Sequence, residues 1–323
     1  MVAKRALAVL AVAALCLLPA HRAGAPAERP PQRDRFEVIA PVDGAGTMIA
    51  AFGDIWLEDR SRGRLLRLDD RGRTRGAVVV GGRVALAAGR RAVWALQSGS
   101  RWGAGLLGPL LRIDPRRARV QSRTRLPAGV VGFGVVTARE AVWVWGPRDI
   151  LQVNPRTGAK GRRIVVGEEH GELTGVTAWR RWLVAATADG HLMRFDARTG
   201  ARVGMVRVGL RPPAVRGIAG GRVLLSSAGV LAAADPVTGR VAWRRRVGYR
   251  AGTVTRYAGL LWINSAAPHD PGDRLTALEP GSGRVVTTGV VPGFGTTGVA
   301  VQGGRLWTST AGGRVLVVAP FGA

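Results

Sequence analysis

Cysteine is almost missing from this chain of 323 residues: Cys16 is the only one. It lies inside an apolar N-terminal run, and Leu15 before it is not the small residue a lipid-attachment site needs. Once the first 25 residues are removed no disulfide, thiol nucleophile or thiolate metal site can form. Lysine is nearly absent too, at Lys4 and Lys160 alone, so the 48 basic residues are almost all arginine. Acids number only 21, which leaves a formal charge of +27. No apolar run is long enough to cross a bilayer comfortably. From Phe36 onward no amphipathic helical pattern or linker-like stretch appears. Walker loops, Ser/His/Asp elbows and zinc-finger spacings are missing as well, which removes the common nucleotide, acyl-transfer and finger chemistries.

What is present begins with an export pattern. Lys4 and Arg5 form a charged start, Ala6–Leu18 an apolar run, and Ala23-Gly24-Ala25 a small-residue cleavage site. We expect a secretory signal over 1–25, a flexible leader rich in Pro, Arg and Glu over 26–35, and one domain over 36–323. Retention of the signal as an anchor is the alternative. Residues 1–25 hold three bases and no acid, so cleavage leaves 27 − 3 = +24. That charge suits anionic surfaces such as cell-wall polymer or lipid headgroups. The arginines are scattered singly, however, and lack the interleaved aromatics of a nucleic-acid surface. Nucleic acid is therefore not the expected partner.

One turn recurs through the domain. Asn154-Pro155-Arg156-Thr157-Gly158, Asp196-Ala197-Arg198-Thr199-Gly200 and Asp235-Pro236-Val237-Thr238-Gly239 are full copies; Asp114-Pro115 and Glu279-Pro280-Gly281-Ser282-Gly283 are worn ones. Proline presets the first central turn position, and the trailing glycine accepts a left-handed conformation. Apolar runs flank each copy, so each is a hairpin. Around it a four-strand unit repeats, and a tryptophan marks its second strand at Trp56, Trp94, Trp143, Trp182, Trp262 and Trp307, with Leu224 in the equivalent place. The turn marks the same seven units, at Asp69, Asp114, Asn154, Asp196, Asp235, Glu279 and Pro320. Units of about 41 residues fall within the propeller-blade range.

The fold class that follows is all-β: a single seven-bladed β-propeller with four antiparallel strands per blade. The seventh unit stops before a fourth strand, whereas residues 36–40 form an unpartnered strand before the first. Pairing the two closes the ring and leaves no open sheet edge. Six full blades with loose ends are the alternative. A large flat side chain at one fixed position per blade is expected to pack between neighbouring sheets.

The units resemble bacterial propellers of the YVTN and pyrroloquinoline-quinone-like repeat superfamily, most closely at Gly229–Trp243, where the turn and the trailing Trp243 match that family's repeats. The layout is also similar to streptogramin B lyases, which the resemblance describes as single-domain seven-bladed propellers using a magnesium ion and histidine. The quinone enzymes of the superfamily use adjacent cysteines and an acidic calcium site. No cysteine survives signal cleavage here, so quinone binding is not supported.

In this fold the loops from second to third strand, and from each blade to the next, share one face. The three histidines after the signal, His170, His191 and His269, all map there. So do ten of the 21 acids: Asp43, Glu58, Asp59, Asp149, Glu168, Glu169, Glu172, Asp189, Asp270 and Asp273. Carboxylates with imidazoles can hold a hard divalent cation, here Mg2+ or Mn2+, or act as a general acid–base pair. The candidate metal ligands are His170, His191 and Glu172, with Asp189 as a further ligand or an orienting group. Glu168, Glu169, Asp270 and Trp102, which lies in the long loop of the second blade, are candidate ligand contacts, and His269 a candidate base. Arg60, Arg62, Arg101, Arg148 and Arg211 share the rim and can neutralise it, which leaves ordinary solvated loops as the competing reading. The expected protein is a secreted, monomeric, non-enzymatic binding or scaffold module of the cell envelope. Its partner would be an envelope protein or an anionic cell-wall polymer. A metal-assisted lyase or hydrolase is the alternative.

Overall fold

The computed structural model describes residues 36–98, 107–127, 132–248, 250–266, 273–293 and 295–318. The expected signal peptide and leader, and Pro320, lie outside them. The described residues form seven four-stranded antiparallel sheets and one short 3-10 turn. Each sheet runs in chain order except the seventh, where the N-terminal strand Phe36–Pro41 pairs with Arg314–Val318. The first strand of every blade lies against the first strand of the next, and Thr296–Gln302 of blade seven returns to Ala45–Ala51 of blade one. The ring is closed as the strand count requires. No helix among the described residues is long and apolar enough to cross a membrane.

The repeated turn has one chemistry. Asp235 Oδ1 accepts the backbone N–H groups of Val237 and Thr238 at 2.7 and 2.8 Å, and Asp196 does the same for Arg198 and Thr199 at 2.8 and 3.0 Å. Asp114 and Asn154 repeat the pattern. The chain then reverses through Gly239 at φ +74, where an added Cβ would lie 2.6 Å from the Arg207 carbonyl oxygen. Only glycine meets both demands. The N–H groups hold the carboxyls of Asp114, Asp196 and Asp235 below the ordinary range. At Asp69 burial pushes the other way, and the N–H groups of Arg73 and Arg71 outweigh it.

The core lies between blades. Each apolar cluster joins side chains of two neighbouring sheets, and Trp56, Trp94, Trp143, Trp262 and Trp307, all at most 2% exposed, each sit in one such seam. Leu224 fills the same place in blade five. Blade four departs from the expectation. Trp182 is the first residue of its strand, paired with Trp179 across a two-residue turn, and is only half-buried. Val184, fully buried two residues later, occupies the seam. Arg180 takes φ +55 in the same two-residue turn that Phe52, Arg139 and Ala258 make in other blades, so Trp182 stands two strand positions ahead of the other tryptophans. It faces Trp179 at 5.0 Å and packs at the edge of the seam that Val184 fills. Trp243, the trailing tryptophan of the best repeat, covers Gly283 of the next blade's turn and donates to the Pro280 carbonyl at 3.0 Å.

Candidate functional site

Blade four brings two loops together at the end of the ring where blades connect. The link from blade three makes the 3-10 turn Glu168–His170, closed by Gly171 N–H donating to the Glu168 carbonyl at 3.1 Å. The turn from second to third strand runs Thr187 to His191, and Ala188 N–H donates to the Glu172 carbonyl at 2.8 Å, fastening one loop to the other. Gly190, at φ +95, has the Leu210 carbonyl oxygen 2.8 Å from where a Cβ would stand, so this turn also needs glycine.

That fastening sets the imidazoles of His170 and His191 with centroids 5.6 Å apart, inclined at 64°. Asp189 sits against both. Its Oδ2 is 2.8 Å from His191 Nδ1 and 3.8 Å from His170 Nδ1, and its Oδ1 accepts the Thr187 hydroxyl. Thr187 Oγ1 also accepts the His191 N–H at 3.2 Å, so the threonine fixes carboxylate and backbone together. One ligand atom from each of His170, Asp189 and His191 lies within 4.8 Å of the others. The side chains are 14, 30 and 22% exposed, so the group opens to solvent. Partial burial pushes the Asp189 carboxyl up, but the hydrogen bonds from Thr187 and His191 and the charges of His191 and His170 bring it below its ordinary value. Glu169 Oε1 approaches His170 Nε2 at 3.3 Å from the other side.

The remaining expected residues separate. Glu172 is exposed and lies outside this group; Asp189 supplies the carboxylate in its place. Glu168 pairs with Arg148 on the surface. Trp102, His269 and Asp270 fall outside the described residues.

Much of the acidic rim is already engaged. Glu58, 1% exposed, accepts Thr47 N–H at 2.8 Å, Val84 N–H at 2.9 Å and Arg60 Nε at 3.1 Å, tying the first strands of blades one and two together. Asp59 takes Arg62 N–H and Arg64 Nε, and Asp149 takes Arg163. Burial pushes the Asp273 carboxyl up, against hydrogen bonds from Thr296 and Gly295. Arg60, Arg62 and Arg148 do neutralise rim carboxylates.

A second feature escapes sequence reading. A cavity of about 410 Å³ opens against the inner strands of blades one to four, lined by Glu58, Arg60, Arg83, Phe133, Trp145 and Val176 with neighbouring small and aliphatic residues. Phe133 meets Trp145 edge to face, with centroids 6.0 Å apart and planes at 88°. The indole lies across Gly134, where a Cβ would be 2.4 Å from its ring nitrogen. The available signal was Trp145 itself, two residues beyond the seam position of Trp143 and so at the rim end of its strand.

No family model matches the sequence, and no curated protein matches it. Solved structures do match in shape. BamB from Moraxella catarrhalis superposes with a TM-score of 0.57 at 18% identity, over 86% of each chain. A streptogramin B lyase superposes at 0.70 with 11% identity, over 87% of this chain and 96% of that one. The WD40 repeats of RRP9 give 0.71 at 11% identity, over 90 and 99%. Similarity at this level carries the architecture alone, since one fold hosts unrelated functions. The chain is a seven-bladed β-propeller.

Proposed function

We propose that this propeller is a secreted, non-enzymatic binding module of the cell envelope that holds its ligand or partner at the channel mouth. The cavity bounded by Phe133, Trp145, Arg60 and Arg83 is the observation that supports it. An apolar wall beside the guanidinium groups of Arg60, which is paired with the lining Glu58, and of Arg83 suits an apolar group carrying an anionic one, offered by an envelope protein or by an anionic wall polymer. The arginine-rich composition favours anionic partners at longer range. Secretion rests on the N-terminal pattern; intact mass of the protein from its producing cell should start at Pro26.

The probe 8-anilinonaphthalene-1-sulfonate has both features the cavity would recognise. Its fluorescence should rise saturably with one site per chain, and Trp145→Ala with Phe133→Ala should remove that phase while the melting transition survives. Non-saturating binding, or a phase untouched by the double variant, would place the binding surface elsewhere. A metal-assisted lyase or hydrolase is the second reading, favoured by the meeting of His170, Asp189 and His191.

A further inference from the structure

The group at His170, Asp189 and His191 is independent of the channel cavity, and its geometry is specific enough to name a ligand class. Both imidazoles turn Nδ1 toward the same carboxylate oxygen. His191 Nδ1 is at hydrogen-bond distance from it, 2.8 Å, but His170 Nδ1, at 3.8 Å, is beyond hydrogen-bond reach. The two separations bracket the spacing of about 3.3 Å between neighbouring ligands of a tetrahedral ion with bonds near 2.0–2.1 Å. A simple hydrogen-bonded triad accounts for the first distance. A cation held by all three would take the place of the proton between His191 Nδ1 and Asp189 and draw the His170 ring inward, each separation changing by about 0.5 Å.

We propose that His170 Nδ1, His191 Nδ1 and an Asp189 carboxylate oxygen form a binding site for a divalent transition-metal ion of the zinc class. Two imidazole nitrogens with one carboxylate oxygen are a borderline donor set, which prefers Zn2+, Co2+ or Ni2+ to Mg2+. Mg2+ is held chiefly by oxygens and keeps its waters. Glu172 would have made the set richer in oxygen, but it lies outside the group. Thr187 is the positioning residue: its hydroxyl holds the second oxygen of Asp189 and leaves Oδ2 facing the two rings. The loops are fastened backbone to backbone by Ala188 and Glu172, so the ligands from two loops are set before any ion arrives. Three protein ligands with partial exposure leave a coordination position open to water or to a ligand donor.

The test is calorimetric titration of the full chain, made without a polyhistidine tag, against Zn2+, Co2+ and Mg2+ separately. Zn2+ should bind at one equivalent per chain with micromolar affinity or better, and Co2+ should develop visible d–d absorption. Millimolar Mg2+ should give no saturable heat. His170→Ala, His191→Ala and Asp189→Ala should each weaken Zn2+ binding by about 100-fold, and Thr187→Val by about 10-fold. Glu172→Gln should leave it unchanged, and its failure to do so would reinstate the glutamate as the carboxylate ligand. Circular dichroism of each variant separates lost binding from lost fold; the milder Thr187→Val and Glu172→Gln keep the test decisive if an alanine variant unfolds. Absence of Zn2+ binding, Zn2+ binding that survives His191→Ala and Asp189→Ala in folded protein, or Mg2+ binding as tight as Zn2+ would each overturn the assignment. The anilinonaphthalene phase should be indifferent to all these variants, so this site and the channel cavity can fail separately.

Discussion

Ring closure can be tested by locking it. Glu37 and Val317 are antiparallel partners, one on the N-terminal strand and one on the last strand of blade seven. Such partners lie about 4.5–5.5 Å apart at Cα, inside the range of about 4.4–6.8 Å that a disulfide accepts. The double variant Glu37→Cys, Val317→Cys, in a Cys16→Ser background, would bridge residues 317 − 37 = 280 apart in sequence. For a loop of that size the chain-entropy relation gives a stabilisation of about 5–6 kcal/mol at 25 °C, an upper figure because unfolded chains retain some order. Replacing Val317, 3% exposed, removes core methyls. That loss is common to both redox states, so comparing oxidised with reduced protein cancels it. At about 2.1 cal/mol/K of unfolding entropy per residue, a chain of this length should gain roughly 8–10 °C in Tm on oxidation. Differential scanning calorimetry with and without reductant reads the difference, and thiol titration confirms that the bridge has formed. Thiols that refuse to pair, or a formed bridge with equal melting temperatures in both states, would mean that the N-terminal strand does not close the seventh blade.

Two further results are expected. Glu58→Ala should cost about 3–5 kcal/mol in urea unfolding, because it leaves Arg60 and the buried N–H groups of Thr47 and Val84 without their acceptor; a loss below about 1 kcal/mol would show that the carboxylate is not what joins blades one and two. The turn aspartates predict an acid limb: Asp69, Asp114, Asp196 and Asp235 have folded pKa values below 3.8, so their stabilisation is fully present above pH 3.8 and is lost as pH falls through the lower folded values. Replacing them by asparagine, which already makes the same two turn bonds at residue 154, should flatten the fall in Tm below pH 4, and an unchanged slope would exclude these groups as its source.

Blade number, strand order, closure by residues 36–40 and the left-handed turn glycines follow from sequence, since each depends on local pattern. Turn chemistry acts over five residues, strand alternation over two, and the count of units against strands leaves one sheet wanting a fourth strand. The places where reading along the chain fails are those where the chain reverses. Trp182 looks like a seam residue in spacing, but it is the first residue of its strand where the other tryptophans after a two-residue turn are the third, so Val184 takes their register. Glu172 lies two residues from His170, yet Asp189, nineteen residues on, meets the ring, because the Ala188–Glu172 hydrogen bond folds one loop back upon the other. The channel cavity draws its walls from the inner strands of four blades, and its aromatic pair joins residues twelve apart within blade three. Periodicity determines which strands form and in what order. Which side chains share a space is decided by how loops and blades close upon one another, and that closure depends on contacts between segments far apart in the chain.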